Sequence, residues 1–278
     1  MTRAVLCLLI LTLFAPRLVQ AANIKLAVTG IGGEAKANVE AWLSRLPETE
    51  AERLNFVASA RSRVGDALRA VGYYNPDIDI EVDRSARVWR LRVEIDPGAP
   101  VRIRESEVSV TGDAAGDPAF AQLTETSELK PGEILHHGRY ERLKQALLSQ
   151  GQRQGYFDAS LRRSQVLVDA RSGVADIALH WDSGPRYRFG ELVSSGAEVD
   201  AGLLAALAEF EPGQAYDRQL LQRLLGLLLR TGYFSGSLVQ PLPARAADGE
   251  VPVLVELEPA SRHSFDVGVG YSTDTEER

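Results

Sequence analysis

Cysteine is almost absent from this sequence. The one cysteine, Cys7, falls within the first 22 residues. Past that point no disulfide, thiol nucleophile or cysteine metal site can form, and the chain must rely on core packing alone in an oxidising compartment. Long apolar runs are lacking too. The stretch Ala4 to Phe14 falls short of the ~20 apolar residues that cross a bilayer. Positive charge is in deficit. With 31 Lys and Arg against 38 Asp and Glu the net charge is −7, which argues against a general nucleic-acid binder. Serines occur without a G-x-S-x-G elbow. The histidine pair His136-His137 lies in a Gly-flanked loop with no carboxylate or cysteine spaced as a third metal ligand, and reads as a solvated loop. His180 falls on a wet strand face and His263 beside the tail. No catalytic, cofactor-binding or metal site is expected.

Residues 1–22 read as a cleaved secretory signal. Arg3 is the positive n-region, Ala4 to Phe14 the apolar h-region, and Val19-Gln20-Ala21 a small-x-small site cut after Ala21 or Ala22. Cys7 is not at that junction, so it is no lipoprotein acceptor. Loss of Arg3 and Arg17 takes the net charge to −9.

What the chain does have is a threefold phrase: Gly72-Tyr73-Tyr74, Gly155-Tyr156-Phe157 and Gly232-Tyr233-Phe234, at intervals of 83 and 77 residues. Each follows a helix-like stretch and precedes a strand-like one. A glycine there can take the left-handed conformation that closes a last helical turn, and the aromatics can anchor the next strand in the core. A second marker keeps the same order. Asp96-Pro97-Gly98-Ala99-Pro100, Asp182-Ser183-Gly184-Pro185 and Glu258-Pro259-Ala260 each end a strand-like run. Two markers on one period make an internal repeat.

In repeat one, Ile24 to Val28 alternates as a strand and is broken by Gly30-Ile31-Gly32-Gly33. That glycine run fits the GxxG of RNA-binding KH modules, but it follows a strand in an acidic exported chain and reads as a turn. A helix is expected over Ala35 to Leu46, stopped by Pro47. A longer one runs from Glu52 to Val71 with the stripe Val57, Ala60, Val64, Ala67, Leu68 and Val71. Two alternating strands follow, with Ile78, Ile80 and Val82 dry against Asp77, Asp79, Glu81 and Asp83, and then Trp89, Leu91, Val93 and Ile95 dry.

Repeat two offers a strand near Glu107–Thr111, an Asp117-Pro118 helix start, the Pro131-Gly132 break, a helix from Tyr140 to Gln154, and a last strand with Ala175, Ile177, Leu179 and Trp181 inward. Repeat three offers a strand from Phe189 to Ser194, a short helix from Leu203 to Phe210, the Pro212-Gly213 break, and a helix Arg218–Arg230 capped by Asp217. It closes with strands at Leu238–Leu242 and at Val251, Val253, Val255 and Leu257. The fold class is therefore α+β: three tandem β-α-α-β-β two-layer modules over 23–100, 101–185 and 186–260. Residues 261–278 are an orphan strand. There Phe265, Val267, Val269 and Tyr271 alternate with small or polar residues, as in the start of a membrane barrel.

These features resemble the polypeptide-transport-associated (POTRA) repeats of outer-membrane assembly proteins. Three repeats and the closing segment Phe265 to Thr275 are most similar to the outer-membrane subunits of the translocation and assembly module. The resemblance implies periplasmic modules that receive unfolded outer-membrane proteins and autotransporters, contact a TamB-like inner-membrane partner, and join a barrel missing after Arg278. It implies no cofactor and no nucleic acid. The alternative is a periplasmic adaptor of a cell-division or secretion system. A hydrolase would need clustered catalytic groups, and none is expected.

An exposed sheet edge can accept a client strand through main-chain hydrogen bonds. The second strand of each repeat is expected at such an edge. Candidate protein-binding residues are Ile78, Ile80, Val82, Asp79 and Glu81, with Leu221 and Leu225 on a helix whose leucines run almost all round. Its extra stripe implies either a second contact or a deeply sunk helix. Pro241 and Pro243 are expected to face the free edge of repeat three, robbing it of two donors. The short, proline-stiffened junctions between repeats are expected to bend little.

Overall fold

The computed structural model describes residues 24–196 and 199–260. The sequence readings of residues 1–22 and of the tail, His263 included, lie outside these described residues.

Each repeat builds its own three-stranded sheet. The first holds β1 (Ile24–Thr29), β2 (Asp77–Asp83) and β3 (Trp89–Asp96). The second holds β4 (Arg102–Thr111), β5 (Ser160–Asp169) and β6 (Val174–Asp182), and the third β7 (Arg188–Gly196), β8 (Phe234–Pro241) and β9 (Glu250–Pro259). In every sheet the repeat's last strand is central: the orders are β1-β3-β2, β4-β6-β5 and β7-β9-β8. β3 runs parallel to β1 and antiparallel to β2, and β9 does the same with β7 and β8. Two helices belong to each repeat: α1 (Gly33–Trp42) and α2 (Glu50–Ala70), α3 (Pro118–Glu125) and α4 (His137–Gln154), α5 (Ala201–Leu207) and α6 (Arg218–Arg230). By their contacts the residues fall into two compact units. Unit one is residues 24–102 with the segments 134–137 and 169–174; unit two holds 103–133, 138–168 and the residues from Ala175 on. Among the described residues no helix is long and apolar enough to cross a membrane.

In unit one, a capping box starts α2 two residues earlier than its apolar stripe. Thr49 Oγ1 accepts the Glu52 N–H at 3.2 Å, and the Glu52 carboxylate accepts the Glu48 and Thr49 N–H groups at 2.8 and 3.4 Å. Those backbone donors, Glu48 first, hold the Glu52 carboxyl below its ordinary range. The buried arc runs Phe56, Ala60, Val64, Ala67, Leu68 and Val71, so Phe56 takes the place expected for Val57, which is half-buried. Helix α1 stops at Trp42, not at Leu46. The Arg63 guanidinium from α2 donates to the Trp42 carbonyl, Ser44 Oγ donates to Ala41 O at 2.7 Å, and Leu43 turns fully into the core. A helix end satisfied by side chains needs no further turn.

The Gly30-Ile31-Gly32-Gly33 run links β1 to α1, a strand to a helix. Gly30 has φ +86°, and a Cβ there would lie 2.1 Å from the Ile95 carbonyl oxygen. Close backbone approach dictates this glycine.

The pair His136-His137 is not the solvated loop expected from sequence. His137 opens α4, and its Nε2 hydrogen-bonds the Tyr74 hydroxyl at 2.5 Å. His136 Nε2 lies 2.9 Å from Glu34 Oε1 with its ring 13% exposed. The residues that meet it lie about 100 and 60 positions upstream, beyond any local pattern. His180 likewise meets Glu107 at 3.1 Å.

In unit two the strand reading holds closely. Ala175, Ile177, Leu179 and Trp181 are buried, as are Val251, Val253, Val255 and Leu257. Asp117 and Asp217 cap their helices through Ala119 N–H and Gln219 N–H, both at 2.8 Å. In repeat two Trp181 stacks on Phe120 at 4.9 Å between centroids, with Tyr156 edge-on to both. Strand β4 starts at Arg102, well before Glu107, and α5 spans Ala201–Leu207 and not Leu203–Phe210.

All three glycines of the repeated phrase are left-handed, with φ +94°, +87° and +71° at Gly72, Gly155 and Gly232. Tyr73 N–H reaches back to Leu68 O and Tyr156 N–H to Gly151 O, each at 2.9 Å, the bond of a Schellman cap. The aromatic anchors divide. Tyr73, Tyr74, Tyr156, Phe157 and Phe234 are buried or half-buried, whereas Tyr233 is 76% exposed and anchors nothing in its own core.

The junction of repeats two and three is tightly tied. Tyr187 N–H donates to Gly155 O at 3.0 Å and Tyr216 N–H to Tyr187 O at 3.1 Å. Arg186 donates its backbone N–H to Asp113 Oδ2, its Nε to Gln154 O and its Nη2 to Tyr216 O. Phe157 meets the Tyr187 and Tyr216 rings edge-on at 5.6 and 4.9 Å. Within unit two these contacts tie the junction on both of its sides.

Candidate polypeptide-docking groove

The second strand of every repeat, β2, β5 and β8, lies at a sheet edge. The three edges differ in what they leave open. In antiparallel β8 the backbone direction follows from one bond: Leu242 N–H donates to Pro252 O at 2.8 Å. Backbone groups alternate along a strand, so Leu242 and Gln240 face β9, while Pro241, Val239 and Ser237 face the free edge. Pro252 sits in the central strand where its missing N–H would have met only Leu242 O, just beyond the end of β8.

The expectation for the prolines is thus half right. The Pro241 nitrogen faces outward, but Pro243 is not in the strand at all. It opens a 3-10 turn, Pro243–Arg245. A proline fixes φ near −65°, a value suited to a first helical position, and the chain turns there. The free edge lacks one donor, at its far end. Ser237 and Val239 each still present an N–H and a carbonyl, and Pro241 a carbonyl, so repeat three is not barred from pairing with a further strand.

Beside this edge runs a groove of about 570 Å³ between β8 and α6. Leu221, Leu225, Leu238, Val239 and Pro241 line it with Phe157, and Gln152, Gln222, Gln240 and Arg218 add polar groups. Leu221 is 3% exposed and serves both the core and the groove wall; Leu225 is half-buried at the groove. Leu220, Leu224 and Leu228 sink into the core. The extra apolar stripe of α6 is therefore accounted for by the groove, with Leu229 left 51% exposed. Tyr216, at the groove end, has its phenol pushed up to about 12, burial outweighing the opposing Arg218 charge, so it stays neutral.

Strand β2 is built differently. Ile78 is buried and Ile80 and Val82 are half-buried, all three packed in or against the core of unit one. The Arg61 guanidinium from α2 donates to the Ile78 carbonyl. Asp79 and Glu81 lie exposed on the other face. Glu81 pairs with Arg92 at 2.8 Å and Asp83 with Arg90 at 3.8 Å, contacts worth little at such exposure. At the other end of the strand like charges oppose directly: Asp77 stands across from Asp96 and Asp79 from Glu94. Replacing Asp77 and Asp79 by Thr should stabilise unit one by about 0.2–1 kcal/mol per site, since like charges across a ladder repel. It should also raise self-association, since charge on an edge discourages pairing. Sedimentation of the double variant checks this; a monomer at every concentration, with unchanged melting, would show the row to be only a solvated face.

Among the described residues no group of three or more His, Cys, Asp or Glu is placed to hold a metal ion.

Residues 25–97 match the family model described as "POTRA domain TamA domain 1". Over the first repeat the chain is similar to a POTRA domain of the TamA type. The β-α-α-β-β order and the last-strand-central sheet recur in repeats two and three, so the described chain is a tandem of three modules of one α+β fold, that of the matched POTRA domain. Among solved structures it is similar to Haemophilus influenzae BamA POTRA3-5, at 17% identity and a TM-score of 0.49, over 86% of this chain and 96% of that one. It is also similar to POTRA1-3 of Omp85 from Anabaena, at 16% identity and a TM-score of 0.34, over 87% and 95% of the two chains.

Proposed function

We propose that this chain is the periplasmic POTRA scaffold of an outer-membrane protein or autotransporter assembly factor. It takes up extended client polypeptide by strand addition and does no catalysis. One observation carries the reading: the free edge of β8 keeps its donors and acceptors at Ser237 and Val239 and stands over an apolar groove. Main-chain pairing tolerates many sequences, and a groove of Leu225, Leu238 and Phe157 takes alternate apolar side chains. A client alternating apolar and polar residues, as barrel strands do, suits both features. The exposed faces of the other repeats remain for a TamB-like inner-membrane partner, with Asp79 and Glu81 favouring a basic one.

The test is Val239→Pro in the full chain, with Val239→Thr as the control that keeps the N–H. Titrated with a synthetic twelve-residue peptide of alternating apolar and polar residues, Val239→Pro should bind at least about tenfold more weakly, because a central donor of the edge is gone and its ring crowds the incoming strand. Val239→Thr should bind within about twofold of the parent. Equal binding by both variants and the parent would remove the edge from consideration.

A further inference from the structure

Arginine gathers at one end of the first repeat, in a chain whose net charge is −7. The guanidiniums of Arg53, from α2, and Arg84, from the turn after β2, both lie over the Trp89 ring, at 4.4 and 4.8 Å from its centroid. Arg53 Nη1 donates to the Arg87 carbonyl at 3.3 Å. On the other face of β3, Arg90 stands in register with Lys25 of β1. Asp83 is set among them, but it accepts the Ser85 N–H and hydroxyl at 2.9 and 2.6 Å and lies 3.8 Å from Arg90. Among the described residues no carboxylate pairs with Arg53, Arg84 or Arg87. Like charge so gathered destabilises the compact state by self-repulsion. Stacking on Trp89 offsets part of that and holds two guanidinium groups in place. The far end of the same sheet is the reverse, with Asp77 across from Asp96 and Asp79 across from Glu94. The first module therefore has a positive end and a negative end.

What meets the positive end follows from two features. Its charges wrap both faces of the sheet, Lys25 and Arg90 on the wet face and Arg53 and Arg84 about Trp89 on the dry one. A broad planar surface set against this end meets all of them; a strand in a groove or a small ion meets few. The second feature is the entry of the chain. Ile24 is in register with Trp89, so the residues before β1 come in at this same end. They hold the apolar run Ala4 to Phe14 and no Asp or Glu. We propose that the positive end of the first repeat docks on an anionic phospholipid bilayer, with Arg53, Arg84, Arg87 and Arg90 meeting lipid phosphates. Guanidinium is weakly hydrated and forked to match phosphate oxygens. Each basic group brought to an anionic bilayer adds to the attraction. While the apolar run still holds the chain at a membrane during export, this is the end of the module nearest to it. The negative end is repelled, which sets the orientation. Strand capture at β8 is a separate property of repeat three.

The test uses the chain without residues 1–22, as export leaves it. It is sedimented with vesicles of phosphatidylcholine holding about a third phosphatidylglycerol, and with vesicles of phosphatidylcholine alone. The parent should partition at least about tenfold better onto the anionic vesicles, and this preference should fall away as salt rises. Arg84→Gln with Arg87→Gln, both exposed on the turn, should cut the preference about tenfold or more, since each basic group at the surface contributes about fivefold. Arg84→Lys with Arg87→Lys should bring it back to within about threefold of the parent, which separates charge from folding. Arg163→Gln with Arg245→Gln changes the net charge equally at exposed places in unit two, and should leave the preference within about twofold. A loss that lysine does not restore, or an equal loss in the Arg163 and Arg245 pair, would overturn the proposal. So would a preference that emerges only with Asp266→Asn, Asp274→Asn, Glu276→Gln and Glu277→Gln, which would make the tail the occupant. An absent preference would overturn it too, and binding of a polyglutamate peptide in its place would give the patch to an acidic protein.

Discussion

Gly155→Ala is expected to cost about 2–5 kcal/mol, and Gly232→Ala only about 1–2, although the two glycines share nearly the same φ. A left-handed alanine costs about 1–2 kcal/mol wherever it stands. At Gly232 that is all, because among the described residues nothing lies within 4 Å of the new methyl. At Gly155 the methyl arrives 2.6 Å from Tyr216 Cβ, the root of a buried side chain that cannot swing clear. Overpacking adds about 1–3 kcal/mol. Gly72→Ala should group with Gly155→Ala, since the Leu135 carbonyl and the Ile134 side chain crowd it equally. Hydrogen exchange of the amides around each glycine, compared across the three variants, reads the local cost even where the whole chain does not unfold in one step. Three equal losses would mean that the close contacts at Gly72 and Gly155 do not bear on stability.

The second large effect is at Trp181. Trp181→Ala should cost about 3–5 kcal/mol, the usual penalty for emptying a large aromatic site in a core. Trp181 is fully buried, stacked on Phe120 and met by the edge of Tyr156. Its Nε1–H is buried with no hydrogen-bond partner, however. A leucine, the residue at the matching position Leu257, would forfeit volume but relieve an orphan donor worth about 1–3 kcal/mol. Trp181→Leu should therefore cost well under half as much as Trp181→Ala. A coupled change sharpens this. Gly151 lies within α4, and a Cβ there would stand 2.7 Å from Trp181 Cζ2. Gly151→Ala should destabilise the parent, yet stabilise the Trp181→Leu protein by about 0.5–1 kcal/mol through helix propensity. Thermal unfolding of the four proteins of the cycle decides it. Additive effects would show that glycine and indole do not share one space.

Much of this was legible before any coordinates. The threefold phrase and its period set the number of modules. Period-two alternation set the dry faces Ala175 to Trp181 and Val251 to Leu257, and Asp117 and Asp217 marked helix starts. The left-handed glycines followed from their places after helices. Each of these rests on chemistry confined to a few neighbouring residues: a side-chain cap, a strand's alternating faces, a backbone angle that only glycine takes cheaply. A family resemblance carried by such features reached the POTRA fold for the same reason.

What only the tertiary structure decided depends on residues brought together from far along the chain. No local pattern distinguishes Gly155 from Gly232; Tyr216, 61 positions on, makes the difference. His136 and His137 read as a loop because Glu34 and Tyr74 are out of their range. Pro241 and Pro243 look alike in sequence, but β8 ends between them, and the bond from Leu242 to Pro252 fixes which way the edge faces. Leu225 is core or groove only once α6 has a neighbour. The sequence by itself determined the modules and their inward faces, because periodicity and capping are local; the open edge, the groove and the crowding at Gly72 and Gly155 were decided by packing, which is not.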